Sequence, residues 1–168
     1  MLPLESRLSR AEVSMIRGIH HTAISTVDIE RSLRFYRDLL GFEVIYSSAW
    51  QVGTKGADRI TGLRDSSARL AMLKAGNACI EIFQYSSPTP KSAETMRPVC
   101  DHGITHICLD VVGIDAEYER LKSAGMTFHC PPQGMGGLRA TYGRDPDGNV
   151  VELLEVTDAA SPMALKVR

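Results

Sequence analysis

A short phrase occurs twice in this chain, 85 residues apart, and it decides the architecture. Gly18-Ile19-His20-His21 returns as Gly103-Ile104-Thr105-His106, with glycine, isoleucine and the last histidine coinciding. The same offset carries Ile29 onto Ile114 and acidic Glu30 onto acidic Asp115. Further on, Leu40-Gly41-Phe42 meets Ala124-Gly125-Met126 with one residue dropped. Self-similarity at this spacing means two copies of one supersecondary unit, each built by the same local rules.

Each copy reads as a strand, a helix and three further strands. The first strands are expected at 19–26 and 104–111. A helix is expected from Asp28 to Leu39, with Asp28 as N-cap, an apolar stripe through Ile29, Leu33, Phe35, Tyr36, Leu39 and Leu40, and Gly41 as its stop. Its counterpart runs from Asp115 to Ala124, with Tyr118 and Leu121 inward and Gly125 as the stop. The remaining strands are expected at 43–50, 68–74 and 78–85, then at 126–130, 138–143 and 149–156. Lys74-Ala75-Gly76-Asn77 and Asp145-Pro146-Asp147-Gly148-Asn149 are turn sequences placed to close hairpins.

The expected fold is α+β: two tandem βαβββ modules forming a curved, partly open mixed sheet, a cup with its helices outside. The boundaries are an N-terminal arm (1–16, with a short helix over 9–15), a first module (17–86), a proline-bearing linker (87–102), a second module (103–157) and a C-terminal tail (158–168). The halves differ in one place: residues 51–67, glycine-rich and polar, are extra in the first and read as a surface loop or lid.

Composition narrows the partners. At 168 residues and 43% hydrophobic content the chain can bury a core. A formal net charge of −1 gives no electrostatic basis for binding nucleic acid or an anionic membrane. No apolar run reaches a transmembrane or signal-peptide length. The four cysteines, Cys79, Cys100, Cys108 and Cys130, have no zinc-finger or CxxC spacing. Cys79 and Cys108 fall within strands, where reduced, buried cysteines are expected. The expectation is a soluble, cytoplasmic protein.

Strand alternation then isolates four residues. His21 shares a face with Ala23 and Ser25, and His106 shares one with Cys108 and Asp110. Glu81 lies between Ile80 and Ile82, and Glu152 between Val151 and Leu153, so both carboxylates point away from an apolar face. A carboxylate in such a strand is costly without a partner. His21, Glu81, His106 and Glu152, one His-then-Glu pair per half, form a nitrogen and oxygen donor set suited to a divalent transition metal. Nickel, cobalt, zinc, manganese and iron all accept it.

These features together resemble the vicinal oxygen chelate superfamily, which holds glyoxalase I, methylmalonyl-CoA epimerase, extradiol dioxygenases and antibiotic-resistance proteins. The resemblance runs over about residues 17–157 and rests on HTAI after a glycine, SLRFYRDLLGFEV, IEIFQY, GITHICLDV and RDPDGNVVELLE. It implies His21 rather than His20 as the first ligand, with Glu81, His106 and Glu152 as the others. All four positions are filled, most like glyoxalase I and the epimerases. The family's metal sites are shared between modules or between subunits, and homodimerisation is implied by the resemblance.

The chemistry so implied is a metal holding two neighbouring oxygens of a small hydroxy-carbonyl or acyl substrate. A Lewis acid on a carbonyl oxygen stabilises the enolate formed when the adjacent carbon loses its proton. A nearby carboxylate takes that proton and returns it. Glu152 is the first choice for that role and Glu81 its counterpart. Trp50, Arg139, Tyr142 and Arg144 are weaker candidates for the substrate cavity, each with a plain structural alternative. His20 and His102 are expected beside the ligands or at the surface, and Lys55, Arg59 and Arg64 on a solvated loop. Gly134-Met135-Gly136-Gly137 lacks the strand-to-helix setting of a nucleotide loop. Two competing readings are an iron-dependent ring-cleaving dioxygenase, disfavoured by the fourth ligand, and a non-catalytic resistance protein, disfavoured by retention of the donor set.

Overall fold

The computed structural model describes residues 16–91 and 96–166; the helix expected over 9–15 lies outside them. The first half forms β1 (His21–Ser25), α1 (Ile29–Leu33), β2 (Glu43–Trp50), α2 (Lys55–Thr61), β3 (Ser67–Ala75) and β4 (Ala78–Ser87). The second forms β5 (His106–Asp110), α3 (Ile114–Ser123), β6 (Thr127–Phe128), β7 (Gln133–Met135), β8 (Leu138–Arg144) and β9 (Val150–Val156). Two mixed sheets result, ordered β1-β4-β3-β2 and β5-β9-β8-β6, with β7 also paired to β8. In each, the first strand runs parallel to the last and the other pairings are antiparallel. A parallel pair needs a long crossover, and the helix of each half lies within it.

Local chemistry starts and stops the helices. Asp28 caps α1, its carboxylate accepting from the Glu30 and Arg31 N–H groups at 3.0 and 3.1 Å. From Arg34 to Leu39 the helix widens into a π-helical stretch, departing from the regular helix expected. The wider turn lets the sequence neighbours Phe35 and Tyr36 both be buried. Gly41 and Gly125 end the two helical segments with φ of 77° and 96°, a left-handed conformation that glycine adopts without steric cost. The α3 N-terminus has no local side-chain cap; instead the Glu155 carboxylate, from β9, accepts from the N–H groups of Gly113 and Ile114.

Two elements went unforeseen. The 51–67 segment is not a bare loop but carries α2, whose Asp58 accepts from the Ser66 N–H at 2.8 Å and so closes the loop on itself. The second half has the short extra strand β7, with β6 reduced to two residues. Both rest on short-range features: Asp58 reaches only to Ser66, and Gly136-Gly137 closes the tight hairpin that pairs Met135 with Leu138.

One core joins the halves. Leu73, Ile80 and Ile82 from the first sheet and Val151 and Leu153 from the second pack under Ile29, Phe35, Tyr36, Ile114 and Leu121 of the helices. Full burial of such side chains contributes about 1.5–3 kcal/mol each. Between the halves runs a buried polar clamp. Thr26 donates to Asp147 Oδ2 at 2.6 Å, Ser32 donates to the same oxygen at 3.2 Å, and Arg31 pairs with Oδ1. Of the two strand cysteines expected to be buried, Cys79 is half-buried and Cys108 exposed. Among the described residues no helix is long and apolar enough to cross a membrane.

Candidate metal centre

The helix-covered face of each sheet holds the core, so the opposite, open face receives the alternate residues. On the first sheet Glu81 stands opposite Ala23 of β1, two residues beyond His21. On the second Glu152 stands opposite Cys108 of β5, two residues beyond His106. The register is therefore the same in both halves. It brings His21 Nε2 to 3.2 Å from Glu81 Oε2, and His106 Nε2 to 3.0 Å from Glu152 Oε2. Each carboxylate is mostly buried, 15% and 14% exposed.

The outer nitrogens are also occupied. His21 Nδ1 lies 2.9 Å from His20 Nδ1, and His106 Nδ1 lies 2.9 Å from Thr105 Oγ1. A ligating histidine needs such a partner to fix its ring and tautomer. His20, Thr105 and the strand register thus aim both Nε2 atoms along the carboxylates. This donor set, imidazole Nε2 beside carboxylate oxygen with the far nitrogen held, fits a divalent transition metal.

The two pairs remain separate within one chain. Among the described residues no three His, Cys, Asp or Glu side chains gather where one ion could be held. The outer edges of β1 and β5 end their sheets without a neighbouring strand among the described residues. Between them lies a cleft of about 410 Å³, lined by Thr22, Ser25, Ile104, His106 and Arg144 among others. A larger cleft of about 560 Å³ lies at the helix ends beside Arg34, Leu39 and Met126, and none of the four candidate ligands lines it.

The remaining candidates divide by face. Tyr142 stands opposite Glu152 with its ring 5.1 Å from that of His106. Desolvation and then the Glu152 charge raise its pKa, keeping the phenol protonated. Trp50 is on the open face of the first sheet, and its indole N–H donates to Ser66 Oγ at 2.9 Å. Arg139 is on the helix side, gripping Asp115 through both terminal nitrogens. Arg144 borders the cleft but is committed to the carbonyls of Gly148 and Arg97, at 2.8 and 3.1 Å.

Of three neighbours of the carboxylates, Cys108 was already placed on the His106 face by alternation, while Phe83 and Tyr85 escaped the sequence reading. Cys108 stands opposite Glu152, and desolvation first, then the Glu152 charge, push its thiol up to about 12. Phe83 and Tyr85 follow Glu81 at two-residue steps and share its face. Alternation beyond Glu81 was the signal for them. Burial, then Glu81, raises the pKa of Tyr85.

A family model described as Glyoxalase/Bleomycin resistance protein/Dioxygenase superfamily matches residues 18–153. The chain belongs to this superfamily. Among curated members, uncharacterised protein YwkD of Bacillus subtilis is 31% identical over 142 residues, 84% of this chain and 98% of its own length. The 2-epi-5-epi-valiolone epimerase of Actinomyces sp is 26% identical over 154 residues, 85% of this chain and 81% of that protein. The crystal structure of a glyoxalase family protein from Bacillus cereus superposes with a TM-score of 0.73 at 21% identity, covering 84% of this chain and 98% of that one. Superfamily membership agrees with the two-module fold, and the enzymes among its members include lyases and epimerases.

Proposed function

We propose that this protein is a divalent-metal-dependent isomerase, epimerase or lyase of the glyoxalase type, working as a homodimer on a small hydroxy-carbonyl or acyl substrate. The observation that carries this reading is the His–Glu pair set in identical register on both open sheet faces. A pair of ligands is half a metal site, and each chain has two halves.

A second copy completes them. The apolar residues flanking the free strands repeat at the offset of the duplication: Ile19 (83% exposed) with Ile104 (74%), and Val27 (68%) with Val112 (95%). Exposed apolar residues along an unpaired strand edge mark an interface. With β1 of one protomer against β5 of its partner, a two-fold axis generates two equal sites. Each joins His21 and Glu81 to the partner's His106 and the partner's Glu152.

When bound, the metal would supply Lewis acidity to the two neighbouring oxygens of the substrate. The chain's own groups do the rest. His21 and His106 are held by His20 and Thr105. Glu152 takes the proton from the carbon beside the carbonyl and returns it to the same or the neighbouring carbon. Cys108 and Tyr142 flank that carboxylate as its strand partners on either side.

Elemental analysis after reconstitution with divalent ions, followed by solvent-deuterium exchange into α-hydroxy-carbonyl and acyl-CoA compounds, tests the reading. About one metal per chain, lost in His106→Ala, with metal-dependent exchange is the expected result. Failure to bind any of the ions would refute it and favour a non-catalytic binding protein.

A further inference from the structure

The two halves of the site are built alike in ligands but not in what surrounds them. After Glu81 the open face of β4 continues as Phe83 and Tyr85, whereas after Glu152 the same positions of β9 hold Leu154 and Val156. The rings of Phe83 and Tyr85 stack, 5.7 Å apart and 24° from parallel. Trp50, at the end of β2, stands edge-on to both, at 6.0 and 5.8 Å. All three are half-buried and lie outside the core cluster, which occupies the other face.

This wall is held in place. The Trp50 indole N–H donates to Ser66 Oγ, and the fully buried Ser66 hydroxyl donates to Asp58 Oδ1 of α2 at 2.6 Å. The extra segment of the first half thus fixes the indole. Proton abstraction at the metal does not need aromatic rings, so a preset wall beside one carboxylate acts on shape. Aromatic faces bind flat surfaces by stacking and edge contacts.

We propose that Trp50, Phe83 and Tyr85 are the specificity subsite, and that the non-reacting part of the substrate is a ring whose flat face lies on them. This rests on the proposed metal chemistry for its reacting end. An aromatic ring and the C–H face of a saturated ring share the required shape.

Three compounds separate the possibilities: hydroxyacetone, which has no ring, 2-hydroxyacetophenone, with an aromatic ring, and 2-hydroxycyclohexanone, with a saturated one. Binding is read by calorimetry on the metal-reconstituted protein, with metal content measured on the same samples. At least one ring compound is expected to bind about tenfold or more tightly than hydroxyacetone. That preference should fall to near parity in Phe83→Leu/Tyr85→Val, which copies the residues of the other half. The better of the two ring compounds identifies the ring type. Metal-loaded protein that binds hydroxyacetone as tightly as both ring compounds, that binds neither ring compound, or whose preference survives the double substitution overturns the subsite and leaves the metal chemistry standing. Protein that holds no metal but keeps the ring preference overturns the chemistry and leaves the subsite.

Discussion

The Tyr36 hydroxyl donates to Asp145 Oδ2 at 2.8 Å, a buried contact across 109 residues that ties the helical segment of the first module to the last hairpin of the second. Asp145 is also fastened by the N–H groups of Asp147 and Asn149 and by the Asn149 amide, so it tolerates burial at 5% exposure. Tyr36→Phe leaves that carboxylate short of one donor. Urea unfolding should show a loss of about 1–3 kcal/mol. Burial first, and then Asp145, hold the Tyr36 pKa well above its ordinary 10.0. The folded state therefore keeps this proton after the unfolded chain has begun to lose it. Its stabilisation is complete below about pH 10 and is lost as pH rises from there toward the folded pKa. The gap between wild type and Tyr36→Phe should narrow above pH 10.

Gly143 is a packing constraint rather than a turn. A Cβ there would lie 2.5 Å from the Met126 methyl and 3.0 Å from both the Phe128 ring and the Thr127 carbonyl oxygen. The Met126 tip can move, but the β6 backbone cannot do so without loosening its pairing to β8. Gly143→Ala is expected to cost about 1–3 kcal/mol, measured by thermal or urea unfolding.

Strand alternation around His21, Glu81, His106 and Glu152 was enough to place them on open sheet faces, because period-two burial is a local property of sequence. The caps at Asp28, Gly41 and Gly125 were equally local. Helix α2 was missed although its closure, Asp58 reaching Ser66, is local. The α3 N-terminus, by contrast, is satisfied by Glu155 of β9, a contact that only tertiary packing sets. Arg139 was legible from alternation: three residues from Tyr142 on β8, it falls on the opposite face, against Asp115. The separation of the four candidate ligands into two pairs depends on how the modules pack, which the duplication alone does not specify.

Glu152→Gln keeps a neutral oxygen donor beside His106 but removes the proton acceptor. Metal content should be largely retained, while kcat for exchange falls by about 10²–10⁴-fold. Glu81→Gln, in the same assay, reports whether the second carboxylate shares the work. A loss confined to metal affinity would assign it a ligand role only.

Charge placed on a free strand edge opposes strand pairing. Ile104→Asp should shift sedimentation from dimer to monomer. The monomer should also bind metal at least about tenfold more weakly, since only two ligands remain to each half. A stable monomer with undiminished metal affinity would place the whole site within one chain.

The most direct measurement uses two damaged chains. His21→Ala and His106→Ala, carrying different tags, are co-expressed and purified as the mixed dimer. If each site joins the His21 half of one protomer to the partner's His106 half, one of the two sites in that dimer is intact and the other has lost both histidines. The mixed dimer should then hold about half the wild-type metal and activity, although each variant alone holds little. A mixed dimer as empty as its two parents would contradict the shared site.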